Sequence, residues 1–288
     1  AASDVYKRQL LILFTYLPFF KMVQFSFYDM KYIGERKFVG LENYIDVFTR
    51  DDCFNALKLS LYYMVGSVVQ LALALLFATI LSFNPKGGSF FRGALYFPSL
   101  VCGIAVGFIF KYFYTHGFVL DSILGLLGIP EDMLPFWLKD TRINNWVLVA
   151  SSIWRYMGQN MVLFIGAIAS VDKTQYEAAA IDGANAWHRF RYIILPSIRT
   201  IVVLNMILAI SGSLSVFEIP YVITDGGFGT STYFVLMDKL AHANQKVGLA
   251  SAMAVVLLVL ILVVSGIQKL AEKKMNSGVR VGKRRARK

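Results

Sequence analysis

Six long apolar stretches dominate this chain of 288 residues. A helix needs about 20 consecutive, mostly apolar residues to cross the hydrocarbon core of a bilayer. Because a bilayer offers no water to the backbone, each stretch must satisfy its own polar groups as a helix. The sequence therefore predicts an all-α, polytopic membrane protein with six transmembrane helices. They lie at about 10–28, 56–83, 91–114, 146–170, 198–219 and 248–270.

The composition supports this class. Hydrophobic residues make up 57% of the chain, charged residues only 16%, and the mean hydropathy is +0.57. Soluble domains average about 25% charged residues. In a soluble protein, a formal net charge of +11 would favour nucleic-acid binding. Here the basic residues are gathered in particular loops. That pattern is typical of membrane topology, so we expect no nucleic-acid partner.

The loops alternate in charge along the chain. Basic residues outnumber acidic ones in the amino terminus, in 84–92, in 171–200 and in the carboxyl tail. Acidic residues outnumber basic ones in 29–55, in 115–145 and in 220–248 when Glu218 at the edge of the last loop is counted with it. The positive-inside rule therefore predicts that both termini are cytoplasmic. The second set of loops is then external.

The chain divides into one membrane domain, residues 10–270, and two short ends. Residues 1–9 do not resemble a native start and are expected to be non-native or disordered. The basic tail, residues 271–288, is expected to bind anionic lipid at the cytoplasmic surface, with an RNA-binding arm as an open alternative. Residues 38–48 carry apolar side chains at helical spacing, which predicts a short interfacial helix on the outer surface.

The cysteines and histidines give no pattern of a metal or redox site. Cys53 and Cys102 lie in different kinds of segment, and the three histidines are scattered without paired spacing. We therefore expect neither a disulfide framework nor a metal site.

The largest internal loop, residues 171–199, has the features of two short helices. Thr174 and Glu177 have capping-box spacing, which predicts a helix beginning near Gln175. Gly183 is suited to end it in a left-handed conformation. A second helix can then be capped by Asn185 and closed or kinked by Pro196.

Small side chains line one side of this helix pair. Ala178, Ala179 and Ala180 are strong helix formers that let another backbone approach closely. The Glu177 carboxylate provides a charge that can fix register. This arrangement indicates a docking device for a cytoplasmic partner, with an ordinary connector of good helix formers as the alternative.

Polar residues inside two predicted spans are candidates for a substrate path. A charge within a span is rare and suggests function by default. Arg155 is such a charge, and around it lie aromatic and amide side chains of the kind that bind sugars: Trp154, Tyr156, Gln159 and Asn160. The alternative is that Arg155 snorkels outward or pairs with Glu218. Asn205, Ser211 and Ser213 are candidates by the same logic, or interhelical hydrogen-bonding groups.

The polar, glycine-rich segment TDGGFGT follows the fifth predicted span on the external side. It either contacts an external protein and gates the path, or simply connects two spans. We favour contact or gating, with the candidate residues Thr224, Gly226, Gly227 and Thr232.

The internal loop resembles the EAA loop of permease subunits in binding-protein-dependent ABC importers. The matching pattern, EAA--DGA-----F--I-LP, places residues at Glu177, Ala178, Ala179, Asp182, Gly183, Ala184, Phe190, Ile193, Leu195 and Pro196. Thr200 stands where a second proline is frequent. Three more stretches resemble the carbohydrate-uptake branch: FVGLENYIDVF, SIWRYMGQNMVLFIGAIASVDKTQYEAA and FEIPYVITDGGFGTST, the last with Phe228 where proline is usual.

The resemblance implies a type I ABC importer permease in a bacterial inner membrane. Its implied partners are a second permease subunit, two ATPase subunits, an extracytoplasmic sugar-binding protein and a sugar. ATP and Mg²⁺ would bind the ATPase, and this chain would hold no cofactor and catalyse no reaction. The resemblance assigns the ATPase-coupling role to Glu177, Ala178, Ala179, Asp182 and Gly183. It leaves the particular sugar open.

Two other classes fit the sequence less well. A stand-alone secondary transporter of small polar solutes would need internal repeats and carboxylates within its spans. No repeat is evident, and Glu218, at a span end, is the single candidate carboxylate. An intramembrane enzyme would need a nucleophile with a base, or paired aspartates, inside the spans, and no such set stands out.

Overall fold

The computed structural model describes residues 2–83 and 85–285, and it is almost entirely helical. The helices are α1 Ala2–Leu11, α2 Leu17–Phe25, α3 Glu42–Thr49, α4 Asp51–Ser82, α5 Gly88–Leu100, α6 Gly103–Tyr114, α7 Val119–Leu126, α8 Asn144–Ala169, α9 Lys173–Ile181, α10 Ala186–Arg189, α11 Leu195–Ser197, α12 Arg199–Leu214, α13 Glu218–Thr224, α14 Tyr233–Asp238 and α15 Val247–Arg285. Short π-helical turns at Ile12–Tyr16, Phe190–Ile194 and Lys239–Ala243 join neighbouring helices. The all-α prediction is confirmed, apart from a two-stranded hairpin of Tyr28–Met30 and Arg36–Phe38 that it did not include.

Three helical stretches in the described part of the chain are long and apolar enough to cross a membrane. They are Asp51–Ser82, Arg199–Thr224 and Val247–Leu270, and a fourth counts if the bent pair α5–α6 forms one span. These match four of the six predicted spans. The predicted stretch 146–170 is helical as α8, but polar residues in its middle lower its hydropathy. The stretch 10–28 is divided between short helices, so the count of six remains a prediction.

The third predicted span is not one continuous helix, which corrects the expectation for 91–114. Helices α5 and α6 meet at an angle of 99°. Pro98 lies inside α5, and Val101 and Cys102 between the helices have extended backbone. Proline lacks a backbone N–H and weakens the helix around it. The apolar composition nevertheless continues through the break, so composition alone could not reveal it.

Helices α4 and α8 form the centre of the bundle. Ala74 and Ala78 of α4 are completely buried, four residues apart on one face. They pack in one cluster with Met161 and Phe164 of α8. Small side chains at a helix interface let two backbones approach closely, which is how helices associate where no water drives them together.

Helix α3 lies beside the hairpin, where the sequence predicted an interfacial helix at 38–48. The Asn43 amide donates to the backbone carbonyls of Ser26 and Tyr28, at 2.9 and 3.0 Å, and so ties α3 to the hairpin. Ile45 and Phe48 point away from the protein and are exposed. An apolar face left open in this way is typical of a helix that lies in the membrane interface.

Both ends of the described chain are helical. Helix α1 covers residues that were expected to be non-native or disordered, and α15 runs beyond the last predicted span to Arg285. Residue 1 and residues 286–288 of the predicted tail lie outside the described residues.

Candidate translocation cavity and coupling loop

A cavity of about 610 Å³ lies between α4, α8, α12 and the start of α13. Its walls combine hydroxyl and amide side chains with aromatic and aliphatic ones. Five of the eight predicted substrate-path residues line it: Tyr156, Gln159, Asn160, Asn205 and Ser213. The structure therefore brings together residues that the sequence places on two different spans, in a space large enough for a small polar molecule.

The other three predicted path residues, Trp154, Arg155 and Ser211, lie outside the cavity lining. Trp154 packs its ring edge-on against Phe110, with 5.2 Å between the centroids. The Ser211 hydroxyl lies 3.1 Å from that of Ser265 and joins α12 to α15. That contact matches the interhelical hydrogen-bonding alternative.

Helix α4 supplies polar lining that sequence reasoning missed. Tyr63, Ser67 and Gln70 are buried, line the cavity and lie at helical spacing on one face of α4. The Tyr63 hydroxyl is buried and has no hydrogen-bond partner within the described residues. A buried polar atom without a partner costs free energy. Their helical spacing was a signal in the sequence, but Lys58 and Ser60 also interrupt this stretch, so the spacing alone did not identify the cavity wall.

The fifth predicted span is broken where it meets the cavity. Helix α12 ends at Leu214, α13 begins at Glu218, and the residues between them line the cavity. The Thr232 hydroxyl donates to the Val216 carbonyl at 2.7 Å and so satisfies part of the broken backbone. Irregular backbone at membrane depth is tolerated where it is buried in protein or lines a cavity.

An ion pair joins α8 to α13 beside this break. Arg155 Nη1 donates to Glu218 Oε2, as in the pairing alternative drawn from the sequence. The Arg155 guanidinium also lies over the Tyr156 ring, with 4.8 Å from Cζ to the ring centroid. Its Nε is buried and has no acceptor in the described part of the chain. A Cβ at Gly103 would overlap the Glu218 carboxylate, so a glycine is needed where α6 begins.

The TDGGFGT segment forms a compact turn anchored to α8. The Asn144 amide donates to the Phe228 carbonyl at 2.7 Å, and the Asn145 amide donates to the Gly229 carbonyl at 3.2 Å. Of the predicted contact residues, Thr232 is buried and Thr224 is hydrogen-bonded within the turn to Thr230. Gly226 and Gly227 are half-buried. Phe228, which the prediction did not include, is 53% exposed at the tip.

The internal loop forms two short helices joined by an elbow, as predicted. Gly183 ends α9 with φ +72°, and its N–H donates to the Ala180 carbonyl at 3.2 Å. Asn185 caps α10, accepting from the His188 N–H at 2.9 Å. The capping-box prediction for Thr174 is wrong. Asp172 is the cap, accepting from the Thr174 N–H at 3.0 Å, so α9 begins two residues before Gln175.

The two faces of α9 have different surroundings. Tyr176 faces the bundle and meets Phe83 at the end of α4, with ring centroids 5.9 Å apart. Burial raises the pKa of the Tyr176 hydroxyl. On the opposite side Glu177 and Ala178 are exposed, and Ile181 is 87% exposed. Trp187 of α10 is 65% exposed. The loop is therefore held against the bundle on one face and presents apolar side chains on the other.

The broken spans, the polar cavity and the exposed loop of residues 171–199 are features of a multi-pass membrane protein with a candidate solute path. Residues 70–277 match the family described as the binding-protein-dependent transport system inner membrane component. The chain belongs to this family.

Curated relatives and a solved structure support this assignment. The chain is 29% identical to a probable starch degradation products transport system permease of Thermoanaerobacterium thermosulfurigenes, over 90% of this chain and 88% of the relative. It is 32% identical to an arabinooligosaccharides transport system permease of Bacillus subtilis, over 81% and 75%. A bacterial alginate ABC transporter, solved with an alginate pentasaccharide-bound periplasmic protein, shares the fold with a TM-score of 0.84. That likeness covers 95% of this chain and 93% of the solved chain, at 19% identity.

Proposed function

We propose that this chain forms half of the translocation path of an ATP-driven sugar importer and couples to ATPase subunits through residues 171–199. The observation that carries the proposal is the pairing of a polar cavity with an exposed coupling loop on one helical framework. Helices α4 and α8 line the cavity at their middles, and the cluster that joins their ends also holds Tyr176 of α9. Movement of the loop is thereby transmitted to the cavity walls.

Sugar is the proposed cargo. The relatives are named for starch degradation products and arabinooligosaccharides, and the solved neighbour for alginate. The cavity lining suits a carbohydrate because hydroxyl and amide side chains both donate and accept hydrogen bonds, as sugar hydroxyls do. Residues Tyr156 and Phe217 add aromatic faces.

The proposed assembly contains a second permease, two ATPase subunits and an external sugar-binding protein. The sequence contains no G-x-x-x-x-G-K-[ST] motif, so ATP and Mg²⁺ are assigned to the ATPase. The periplasmic protein seen with the solved neighbour supports a binding-protein partner. For this contact we propose the TDGGFGT turn, with Phe228 at its tip and Gly226 and Gly227 beside it.

The proposed orientation places both termini and residues 171–199 in the cytoplasm. It rests on the alternation of basic and acidic loops. The exposed Ile181 and Trp187 are then on the side where an ATPase would hydrolyse ATP. Closure of the ATPase pair would push on α9 and switch the bundle between inward-open and outward-open states as a rigid-body transition.

Copurification tests the proposal. The chain is coexpressed with neighbouring permease, ATPase and binding-protein genes, pulled down in detergent, and assayed for ATP hydrolysis. We expect an ATPase to copurify with the wild type, and Gly183→Pro to lose it or to uncouple hydrolysis from sugar. Proline cannot adopt φ +72°, and it removes the N–H that donates to the Ala180 carbonyl.

Thr200→Pro is the matched control for this variant. Thr200 is exposed in the first turn of α12, where proline is tolerated. A chain that binds no ATPase, or a Thr200→Pro variant as defective as Gly183→Pro, would contradict the proposal. Transport by the chain alone would instead support the secondary-transporter alternative.

A further inference from the structure

We infer that the cavity wall contributed by this chain selects uncharged, hydroxyl-rich sugars and disfavours sugars that carry carboxylate or phosphate groups. The inference rests on the proposed function and narrows its substrate class. It is based on the arrangement of charges around the cavity. The names of the relatives do not decide whether the sugar of this chain carries a charge.

Most of the polar lining is neutral. Hydroxyl and amide groups come from three helices, with Ser67 and Gln70 on α4, Gln159 and Asn160 on α8, and Asn205 on α12. Each amide offers two donors and an acceptor, and each hydroxyl offers one donor and two lone pairs. These groups match the mixed donor and acceptor pattern of sugar hydroxyls. A carboxylate or phosphate accepts hydrogen bonds only, and is bound best by cationic side chains.

Glu218 is the one charged residue in the cavity lining among the described residues. Its side chain remains 48% exposed although one carboxylate oxygen accepts from Arg155. Like charges that lie a few ångströms apart repel each other more strongly in a partly buried site than in bulk water. An anionic sugar in the cavity therefore meets a carboxylate.

The cation paired with Glu218 is already engaged. The Arg155 side chain is only 12% exposed and does not line the cavity. Its guanidinium is held between the Glu218 carboxylate and the face of Tyr156. The start of α6 at Gly103 packs against this pair and leaves no room for it to separate on that side. Arg155 is therefore committed to one oxygen of Glu218 and is not offered to an anionic ligand, which meets the exposed part of the carboxylate instead.

The test compares neutral and anionic trisaccharides on the complete assembly. Maltotriose, arabinotriose and trigalacturonate are measured for ATP-dependent uptake in proteoliposomes and for binding to the detergent-solubilised assembly without its binding protein. The binding assay removes the selection that the binding protein imposes. We expect the wild type to bind a neutral probe at least about tenfold more tightly than trigalacturonate.

Glu218→Gln identifies the source of this preference. The variant removes the cavity carboxylate and releases Arg155, so we expect the neutral-to-anionic ratio to fall about tenfold. Asp132→Asn is the matched control, because it removes a carboxylate from an exposed site away from the cavity. It should leave the ratio unchanged.

Three outcomes overturn the inference: wild-type preference for trigalacturonate, no change of ratio in Glu218→Gln, or a coupled assembly that binds none of the neutral probes. Failure of the proposed function looks different. In that case no ATPase copurifies and no probe is taken up in an ATP-dependent manner.

Discussion

An Ile181→Asp variant is expected to lose its ATPase during purification. Ile181 ends α9 with its side chain 87% exposed, and Trp187 beside the elbow is 65% exposed. Burying an isoleucine side chain in an interface contributes about 1.5–3 kcal/mol, and aspartate there adds the cost of a buried charge. Each 1.4 kcal/mol is a factor of ten in affinity, so we expect binding at least about 100-fold weaker.

Leu126→Asp provides a matched control for this substitution. Leu126 is 88% exposed at the end of α7, in a loop of the opposite predicted side. Both variants remove an exposed aliphatic side chain and add one negative charge. The measurement is the amount of ATPase recovered per permease, followed by titration of ATPase onto permease in nanodiscs. Equal loss in both variants, or full retention in Ile181→Asp, would show that Ile181 does not anchor the ATPase.

A Gly158→Val variant is expected to disrupt the packing of α5 on α8. Gly158 is buried, and a Cβ there would overlap the Leu95 carbonyl oxygen and lie 2.7 Å from the Tyr96 Cα. Backbone atoms cannot move aside as a flexible side chain can. Overpacking a well-packed site costs typically 1–3 kcal/mol, and we expect a destabilisation of about 3 kcal/mol. Thermal unfolding in detergent should show a lower midpoint and a smaller monodisperse fraction.

The matched control lies on the same helix. Gly166 is exposed, and a Cβ there would meet nothing within 4 Å. Gly166→Val changes helix propensity in the same way, so it isolates the packing effect at Gly158. Similar midpoints for the two variants would exclude the close approach of α5 and α8 as the reason for a glycine at 158.

Local chemistry predicted the conformation of residues 171–199 well. The glycine at 183 and the cap at Asn185 depend on neighbouring residues, and both are confirmed. The first cap was assigned to the wrong residue, because Asp172 and Thr174 both have the side chain of an N-cap. Only the geometry distinguishes which of the two accepts the hydrogen bond.

Features that depend on contacts between distant helices were harder to predict from the sequence. The partners Arg155 and Glu218 are 63 residues apart, and the sequence supported snorkelling as well as pairing. The α5–α6 elbow was missed because apolar residues continue across it. The α4 wall of the cavity was missed because Tyr63, Ser67 and Gln70 were counted as part of one apolar run. In each case the deciding information is which helices meet, and composition does not carry it.

ATP-driven uptake in proteoliposomes tests the central claim most directly. The assembly is reconstituted with labelled sugar and binding protein on one side, and with Mg-ATP on the side of the ATPase. The account predicts accumulation that requires ATP, the ATPase and the binding protein together. Accumulation by this chain without an ATPase, driven by a proton or sodium gradient, would contradict it.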